Sequence, residues 1–290
     1  MKSPITQINT LSSLPVIQDN SKLLDQYYTN PEYAKSFYNT ILSHVNVNDY
    51  DIILEPSAGT GNFYNLFDTT KRIGLDLDPK SNNIIKVNFF DWVWPKDKKI
   101  LTIGNPPFGK NAAMAVKFFN QAAKFSDAIA FVIPRTFRKT SIINRLDSNF
   151  HKIYDETVPD NSFIFNDQPY NVWCCSQIWT KQDVKRNPIK TIKLDQISDW
   201  FKIVDPVSSD FAIQRVGGRA GLIRTVDYKN YSKESHYFLK AYDIKVLPIF
   251  KKINFDEVKY NTAGNPSISP SELIELFLKE AAKQNVIINI

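Results

Sequence analysis

Asn105-Pro106-Pro107-Phe108 is the stretch of this 290-residue chain whose residue types could do chemistry most directly. It follows an apolar run, Ile100 to Ile103, and Gly104, which places it where a buried strand ends. Asn105 brings a side-chain carbonyl, the Pro106 backbone brings a second, and neither proline has an N–H to offer, so the loop presents acceptors in a stiffened geometry. Phe108 adds a flat face. This combination suits an exocyclic amine conjugated to a ring, such as adenine N6. The lone pair of such an amine is delocalised, and accepting both its hydrogens favours a pyramidal nitrogen that can attack an electrophilic carbon. A base presented this way has been lifted out of its stack.

A ligand site is expected upstream. The run Asp51 to Leu54 leads into Glu55-Pro56-Ser57-Ala58-Gly59-Thr60-Gly61-Asn62-Phe63. Gly59 and Gly61 permit a tight turn whose backbone approaches a ligand, and a helix starting after it would offer free N–H groups. Alone, a G-x-G turn fits any nucleotide site or an ordinary turn. Asp76 ends the next apolar run, where a carboxylate can accept hydrogen bonds from ribose hydroxyls about twenty residues after the glycines. The separation from Gly61 is 15, which a short intervening helix accommodates.

Taken in order, E-P-x-x-G-T-G-N-F, G-x-D-x-D-P and G-N-P-P-F resemble the amino-type adenine-N6 methyltransferases, a likeness covering residues 25–180. The resemblance implies the doubly wound α/β sheet of the class I methyltransferases and S-adenosyl-L-methionine as cofactor. Glu55, Pro56, Ser57, Gly59 and Gly61 would line the methionine end, Asp76 would hold the ribose, and Asn105, Pro106, Pro107 and Phe108 would form the target-base motif. Gln26-Tyr27-Tyr28-Thr29-Asn30-Pro31 resembles the amino-terminal cofactor segment of these enzymes, with Asn30 inserted before the proline; Tyr28 and Thr29 are its candidate contacts. Where the family places an Asp before an aromatic pair to meet the cofactor adenine, this chain has Asn88-Phe89-Phe90-Asp91, which makes Asn88 and Phe89 the candidates and Asp91 the alternative acid. Ala128 to Pro134 with Arg135 and Phe137 resembles the strand and loop after the catalytic helix. Phe163 and Phe165, with Tyr170 behind them, are candidates for the second wall of a flipped-base pocket, although core packing is the usual fate of such residues.

These residues need a scaffold. Asn30 can cap a helix that begins at Pro31 and carries Tyr33, Phe37, Ile41 and Leu42 to about Val45. Asp51 to Leu54, Arg72 to Leu75, Ile84 to Val87, Ile100 to Ile103 and Ala128 to Ile133 read as strands buried on both faces, and Asn111 to Phe125 as a helix. Such alternation predicts a mostly parallel sheet with its ligands beyond the carboxyl ends of the strands. His151 to Val158 and Val172 to Thr180 read as a closing antiparallel pair, with Asn166-Asp167-Gln168-Pro169 as a turn between them. Ser269-Pro270 opens a last helix with a stripe of Leu273, Leu276, Phe277 and Ala281. Three regions are expected: a polar arm over 1–20, a catalytic domain over 21–195 and a basic region over 196–290.

Charge supports that division. Residues 1–180 carry 18 Lys and Arg against 17 Asp and Glu, whereas 181–290 carry 18 against 13, so most of the net +6 lies in the last third. A basic appendage suits a polyanion, because phosphate contacts release condensed counterions; a merely soluble basic surface is the other reading. Within it, Arg215, Arg219 and Arg224 are spaced among Gly217, Gly218 and Gly221, in a loop that can follow a phosphate backbone or form a plain surface hairpin. The order of motifs, with the basic region behind the core, favours DNA over RNA as the adenine-containing partner. Glutamine methylation in a protein and a noncatalytic nucleic-acid-binding subunit are the rival functions; release-factor modifying enzymes characteristically carry Tyr where this chain has Phe108. Cys174 and Cys175 are adjacent, and His44, His151 and His236 stand apart, so no metal-ligand set is visible. No apolar run approaches membrane-spanning length, and a soluble cytoplasmic protein is expected.

Overall fold

Apolar residues at consecutive positions can be buried only if both faces of a strand are covered, and that is how the middle of the central sheet is built; at its edge the run expected to be buried over Ile84 to Val87 pairs only at Ile85–Lys86, where both residues are exposed. The structure is a computed structural model that describes residues 27–288; the arm over 1–20 and Gln26 lie outside the described residues. In chain order the first unit comprises β1 (Tyr28–Thr29), α1 (Pro31–His44), β2 (Ile52–Glu55), β3 (Arg72–Asp76), β4 (Ile85–Lys86), β5 (Ile100–Gly104), α2 (Ala113–Ala122) and β6 (Ala128–Pro134). It continues with α3 (Thr140–Ile143), β7 (Phe150–Thr157), β8 (Phe163–Phe165), β9 (Gln168–Tyr170) and β10 (Cys174–Lys181). Seven of these strands form one sheet in the order β4-β3-β2-β5-β6-β10-β7. Pairing is parallel from β4 to β6 and antiparallel from β6 through β10 to β7.

Period-2 alternation assigns the two faces. Ile129, Phe131 and Ile133 of β6 pack with Ala115, Phe119 and Ala122 of α2 on one side. Ala128, Ala130 and Val132 pack with Ala34, Phe37 and Ile41 of α1 on the other. The α1 boundary is set as the sequence indicates: the Asn30 side chain accepts from the Glu32 N–H at 2.8 Å, and Pro31 occupies the first turn.

Three local expectations are corrected. The predicted Asn111 to Phe125 helix starts later, at Ala113, because Asn111 and Ala112 hold φ of +54° and +60° and cannot be helical. The helix expected after the glycine turn is a single 3-10 turn, Tyr64–Leu66. The stretch Asn166 to Pro169 is not a bare turn between long strands. It closes the small hairpin of β8 and β9, with Asn166 and Asp167 both at positive φ as a tight hairpin turn requires, and β1 adds to β8 to make a separate three-stranded sheet.

Beyond Lys181 the chain crosses the back of the first unit, pinned by the Arg186 guanidinium to the carbonyls of Phe150, Leu146 and Asp147. A second unit follows: β11 (Phe201–Ile203), β12 (Phe211–Gln214), β13 (Ile223–Arg224), β14 (His236–Ala241), α4 (Val246–Lys252), α5 (Asp256–Lys259) and α6 (Pro270–Lys283). Its antiparallel sheet, ordered β11-β14-β12-β13, buries one face against α4 and α6 around Phe201, Phe211, Phe250 and Phe277. Ser269 caps α6 in a reciprocal box with Glu272. Phe277 is wholly buried among aromatic rings, so Phe277→Ala should cost about 3–5 kcal/mol in urea unfolding. A loss below about 1 kcal/mol would mean that this core is not cooperatively packed.

Candidate active site

From β2 the chain winds outward to β3 and β4, then returns to lay β5 on the other side of β2. That reversal opens a crevice past the carboxyl ends of β2 and β5. A cavity of about 440 Å³ lies there, lined by the turn after β2, the end of β3, the loop after β5 and the β1 segment.

Glu55 ends β2 and is buried, its Oε2 accepting the Tyr64 N–H at 2.7 Å. Gly104, at the end of β5 with φ +133°, lets the Glu55 side chain lie against it: an added Cβ would stand 3.1 Å from Glu55 Cγ. Burial is the main reason the Glu55 pKa stands well above the ordinary carboxylate value, with the negative charge of Asp76 adding to it and the Tyr64 N–H opposing. A raised folded-state pKa means stability that is fully present below the unfolded value and lost as pH rises through the folded one. Glu55→Gln should therefore raise the melting temperature of the ligand-free protein at alkaline pH and change it little below about pH 4. An equal shift at both pH values would rule out ionisation as the cause.

Asp76, at the end of β3, organises the turn opposite. Its Oδ2 accepts the Gly59 N–H at 2.7 Å and its Oδ1 accepts the Asp78 N–H at 2.8 Å, which leaves each oxygen further acceptor capacity on a residue that lines the cavity. Gly59 holds φ +50°, and a Cβ there would stand 2.8 Å from the Tyr28 ring, so the β1 segment can lie over the turn only if this residue is glycine. Asn62, within the same motif, donates to the Thr29 carbonyl at 2.6 Å and ties β1 down.

The loop after β5 is held from both sides. Ser57 Oγ donates to the Asn105 carbonyl at 3.2 Å, and Asn105 Nδ2 donates to the Tyr27 carbonyl at 2.9 Å. The second bond fixes the amide orientation. Asn105 Oδ1 is left buried with no donor, and no donor among the described residues reaches the Pro106 carbonyl. Polar atoms buried without partners are rare, since each forfeits its hydration.

Of the residues anticipated from sequence, Tyr28, Thr29, Glu55, Pro56, Ser57, Gly59, Asp76, Asn88, Phe89, Asn105 and Pro107 line the cavity. Gly61 shapes the turn at φ +81° without lining it. Pro106 and Phe108 do not line it either; Phe108 packs half-buried on the α1-side core. Asn88 accepts the Phe90 N–H at 3.1 Å, and its amide NH₂ is engaged by no described residue; Asp91 lies off the cavity. The apolar wall of Val87, Phe90, Met114 and Phe118 was missed. Only Phe90 had a signal, as the second ring of the quoted motif, because a wall assembled from β4, a turn and α2 has no spacing of its own.

Phe163 is corrected as a pocket wall: it is 0% exposed and belongs to the α1-side core. Phe165 and Tyr170 instead gather around Tyr27, with ring centroids 5.4 and 5.3 Å away and Tyr170 stacked at 15°. The three arginines lie in the second unit, away from the cavity. Arg215 lies over Tyr237 at 5.1 Å and Arg224 over Tyr231 at 4.8 Å, while Arg219 is exposed beside Phe255 and Lys259. Their loop is a closed hairpin, with the Gly221 N–H on the Gln214 carbonyl and Gly221 pressed against Phe255. Among the described residues no group of three or more His, Cys, Asp or Glu side chains could hold a metal, and no helix is long and apolar enough to cross a membrane.

No family model and no curated protein matches the sequence. Solved structures do resemble it. A Pyrococcus horikoshii protein provisionally described as an RNA methyltransferase is 16% identical, with a TM-score of 0.46 over 59% of this chain and 94% of that one. A Listeria monocytogenes protein provisionally described as a class I S-adenosylmethionine-dependent methyltransferase is 15% identical, with a TM-score of 0.42 over 57% and 64%. The 23S rRNA methyltransferase ErmE is 13% identical, with a TM-score of 0.38 over 87% and 98%. The strand order, the reversal between β2 and β5 and the antiparallel β10 wedged between β6 and β7 make this a doubly wound, Rossmann-like α/β sheet, extended by a second antiparallel unit.

Proposed function

We propose that the protein transfers a methyl group from S-adenosyl-L-methionine to the N6 amine of adenine in a nucleic acid. The observation that carries this reading is the buried, partnerless Oδ1 of Asn105 at the edge of the cavity. It is an acceptor built before its donor arrives.

The residues present fit the cofactor. Asp76 has acceptor capacity for ribose hydroxyls, the Asn88 amide and the apolar wall around Phe90 suit an adenine ring, and the turn at Gly59 leaves room beside Glu55 for the methionine end. When bound, S-adenosyl-L-methionine supplies an electrophilic methyl on a sulfonium. The protein's part is positioning. Asn105 Oδ1 accepts one amine hydrogen and the carbonyl of the next residue, Pro106, which has no described donor although it does not itself line the cavity, accepts the other, which withdraws the lone pair from the ring and aims it at the methyl carbon. No covalent enzyme intermediate is needed, and the amine proton lost after transfer leaves to solvent. The rings of Tyr27, Phe165 and Tyr170, one residue from the acceptor through the Tyr27 carbonyl, favour a planar base over a peptide amide. DNA is preferred over RNA in this proposal on the order of motifs alone.

The test is atomic. An oligonucleotide that accepts methyl groups should accept none when its adenines are replaced by hypoxanthine, which carries oxygen in place of the 6-amine. Undiminished transfer to the hypoxanthine strand would move the reaction off N6.

A further inference from the structure

A row of side chains that the cavity does not use crosses the seam between the two units. Arg135, the first residue after β6, lies over the Trp173 ring at 5.6 Å. Trp173 meets Tyr260 edge-on, with centroids 5.7 Å apart at 73°, and the Lys259 ammonium lies 4.9 Å from the Tyr260 centroid. Cation, ring, ring, cation therefore follow in order. The first pair comes from the sheet unit and the second from the appended unit, so the row exists only because the two are docked. Lys139 and Glu272 hold them together at 3.1 Å, with side chains only 18% and 10% exposed.

The row begins beside the acceptor loop. β5 and β6 are parallel with Gly104 opposite Phe131, so Asn105 and Arg135 both lie past the carboxyl edge of the sheet on adjacent strands. At roughly 3.3 Å per extended residue, Arg135 stands on the order of 10 Å farther out.

Arg135 is also electrostatically incomplete. Its Nε donates to the Cys174 carbonyl at 3.2 Å and its backbone N–H to the Trp173 carbonyl at 3.0 Å, which fixes the base of the side chain. No described carboxylate forms an ion pair with it: Asp160 acts on it only from beyond ion-pair distance, and Asp155 is taken by Arg138 and Lys152. Burial, and then the like charge of Arg138, push its pKa down. A half-buried guanidinium without a counter-ion costs free energy that an incoming anion would recover. Tyr260, one ring farther along the row, is 38% exposed, so an arriving base would find an aromatic surface next to Trp173. Two adjacent rings flanked by cations suit a base between two phosphates of a single strand.

We propose that this row seats the nucleic-acid strand flanking the methylated adenine, with Arg135 gripping a phosphate and Trp173 and Tyr260 taking a neighbouring base. The inference rests on reading the cavity loop as a base-methylating site and adds the path of the strand. It is tested with the full chain by fluorescence anisotropy, using fluorescein-labelled adenine-containing single-stranded RNA, single-stranded DNA and duplex DNA over a salt series. On whichever probe binds, Arg135→Gln should weaken affinity about tenfold and lower the slope of log Kd against log salt by about one, while cofactor binding by calorimetry stays unchanged. Arg135→Lys, which keeps the charge, should keep the slope. Trp173→Ala should weaken affinity without altering the slope, since stacking releases no counterions.

A slope unchanged in Arg135→Gln overturns the proposal, even if affinity falls, because that loss would be structural. Absence of binding to every probe, or binding only to an acidic peptide, overturns it too. If the wild type methylates adenine and the slope is unmoved, the strand path falls and the reaction stands. If the slope moves as expected but no methyl is transferred, the path stands and the reaction falls.

Discussion

Asn105→Ala should reduce methyl transfer by about a hundred- to a thousandfold while S-adenosyl-L-methionine binding stays within about threefold. The expectation follows from the division of labour within one amide. Nδ2 is spent on the Tyr27 carbonyl and holds the loop to β1, whereas Oδ1 is buried and partnerless and does nothing for the fold. Losing the acceptor removes an interaction made with the attacking amine, so kcat should fall more than KM rises. Asn105→Asp keeps an acceptor and loses the donor to Tyr27, and should retain more activity than the alanine variant. Calorimetry for the cofactor beside a single-turnover assay separates the cases. Equal loss of binding and turnover in Asn105→Ala would mean that the loop is only structural.

Asp76→Ala should have the opposite profile, raising the cofactor Kd by about a hundredfold or more with kcat at saturating cofactor changed far less. Its two oxygens already hold the Gly59 and Asp78 N–H groups at 2.7 and 2.8 Å, which shapes the turn, and each keeps acceptor capacity on a residue that lines the cavity. Hydrogen bonds to a charged group are worth about 1.5–3 kcal/mol each, so losing ribose contacts while loosening the turn amounts to at least two orders of magnitude. Asp76→Asn keeps one acceptor and should fall between. A cofactor affinity unchanged in Asp76→Ala would place the ribose elsewhere.

How much of this was legible depended on whether the information was local. The strands at Ile52–Glu55, Ile100–Gly104 and Ala128–Pro134 were readable because burial on two faces demands unbroken apolar runs, and α1 and α6 because Asn30, Pro31, Ser269 and Pro270 mark their starts. The sites at Glu55, Gly59, Asp76 and Asn105 came with them, since each closes or follows a strand. What failed was decided by backbone geometry or by assembly. Asn111 is of a type that tolerates left-handed φ but Ala112 is not, and no local pattern announces values of +54° and +60° where the loop, with Gly109 at +64°, joins α2. The Asn166-Asp167 pair was a hairpin signal of a kind, but a three-residue strand on each side is too short for alternation to be seen. Phe163 and Phe165 share a face of this strand, and their different fates follow from position along it, Phe163 reaching the α1-side core and Phe165 the Tyr27 ring. The second unit was faint for the same reason, with strands of three, four, two and six residues. The seam row, drawn from positions 135, 173, 259 and 260, has no sequence pattern at all.

The central claim is a reaction at one atom, and the most direct measurement follows the methyl group itself. S-adenosyl-L-methionine carrying a labelled methyl is offered to the protein with double-stranded DNA, single-stranded DNA, RNA and a protein extract, and each product is digested to nucleosides or amino acids. Label should appear in N6-methyladenosine or its deoxy form from a nucleic acid, and none in protein. Label recovered only as methylated glutamine, or no label from a protein that demonstrably binds the cofactor, would contradict it.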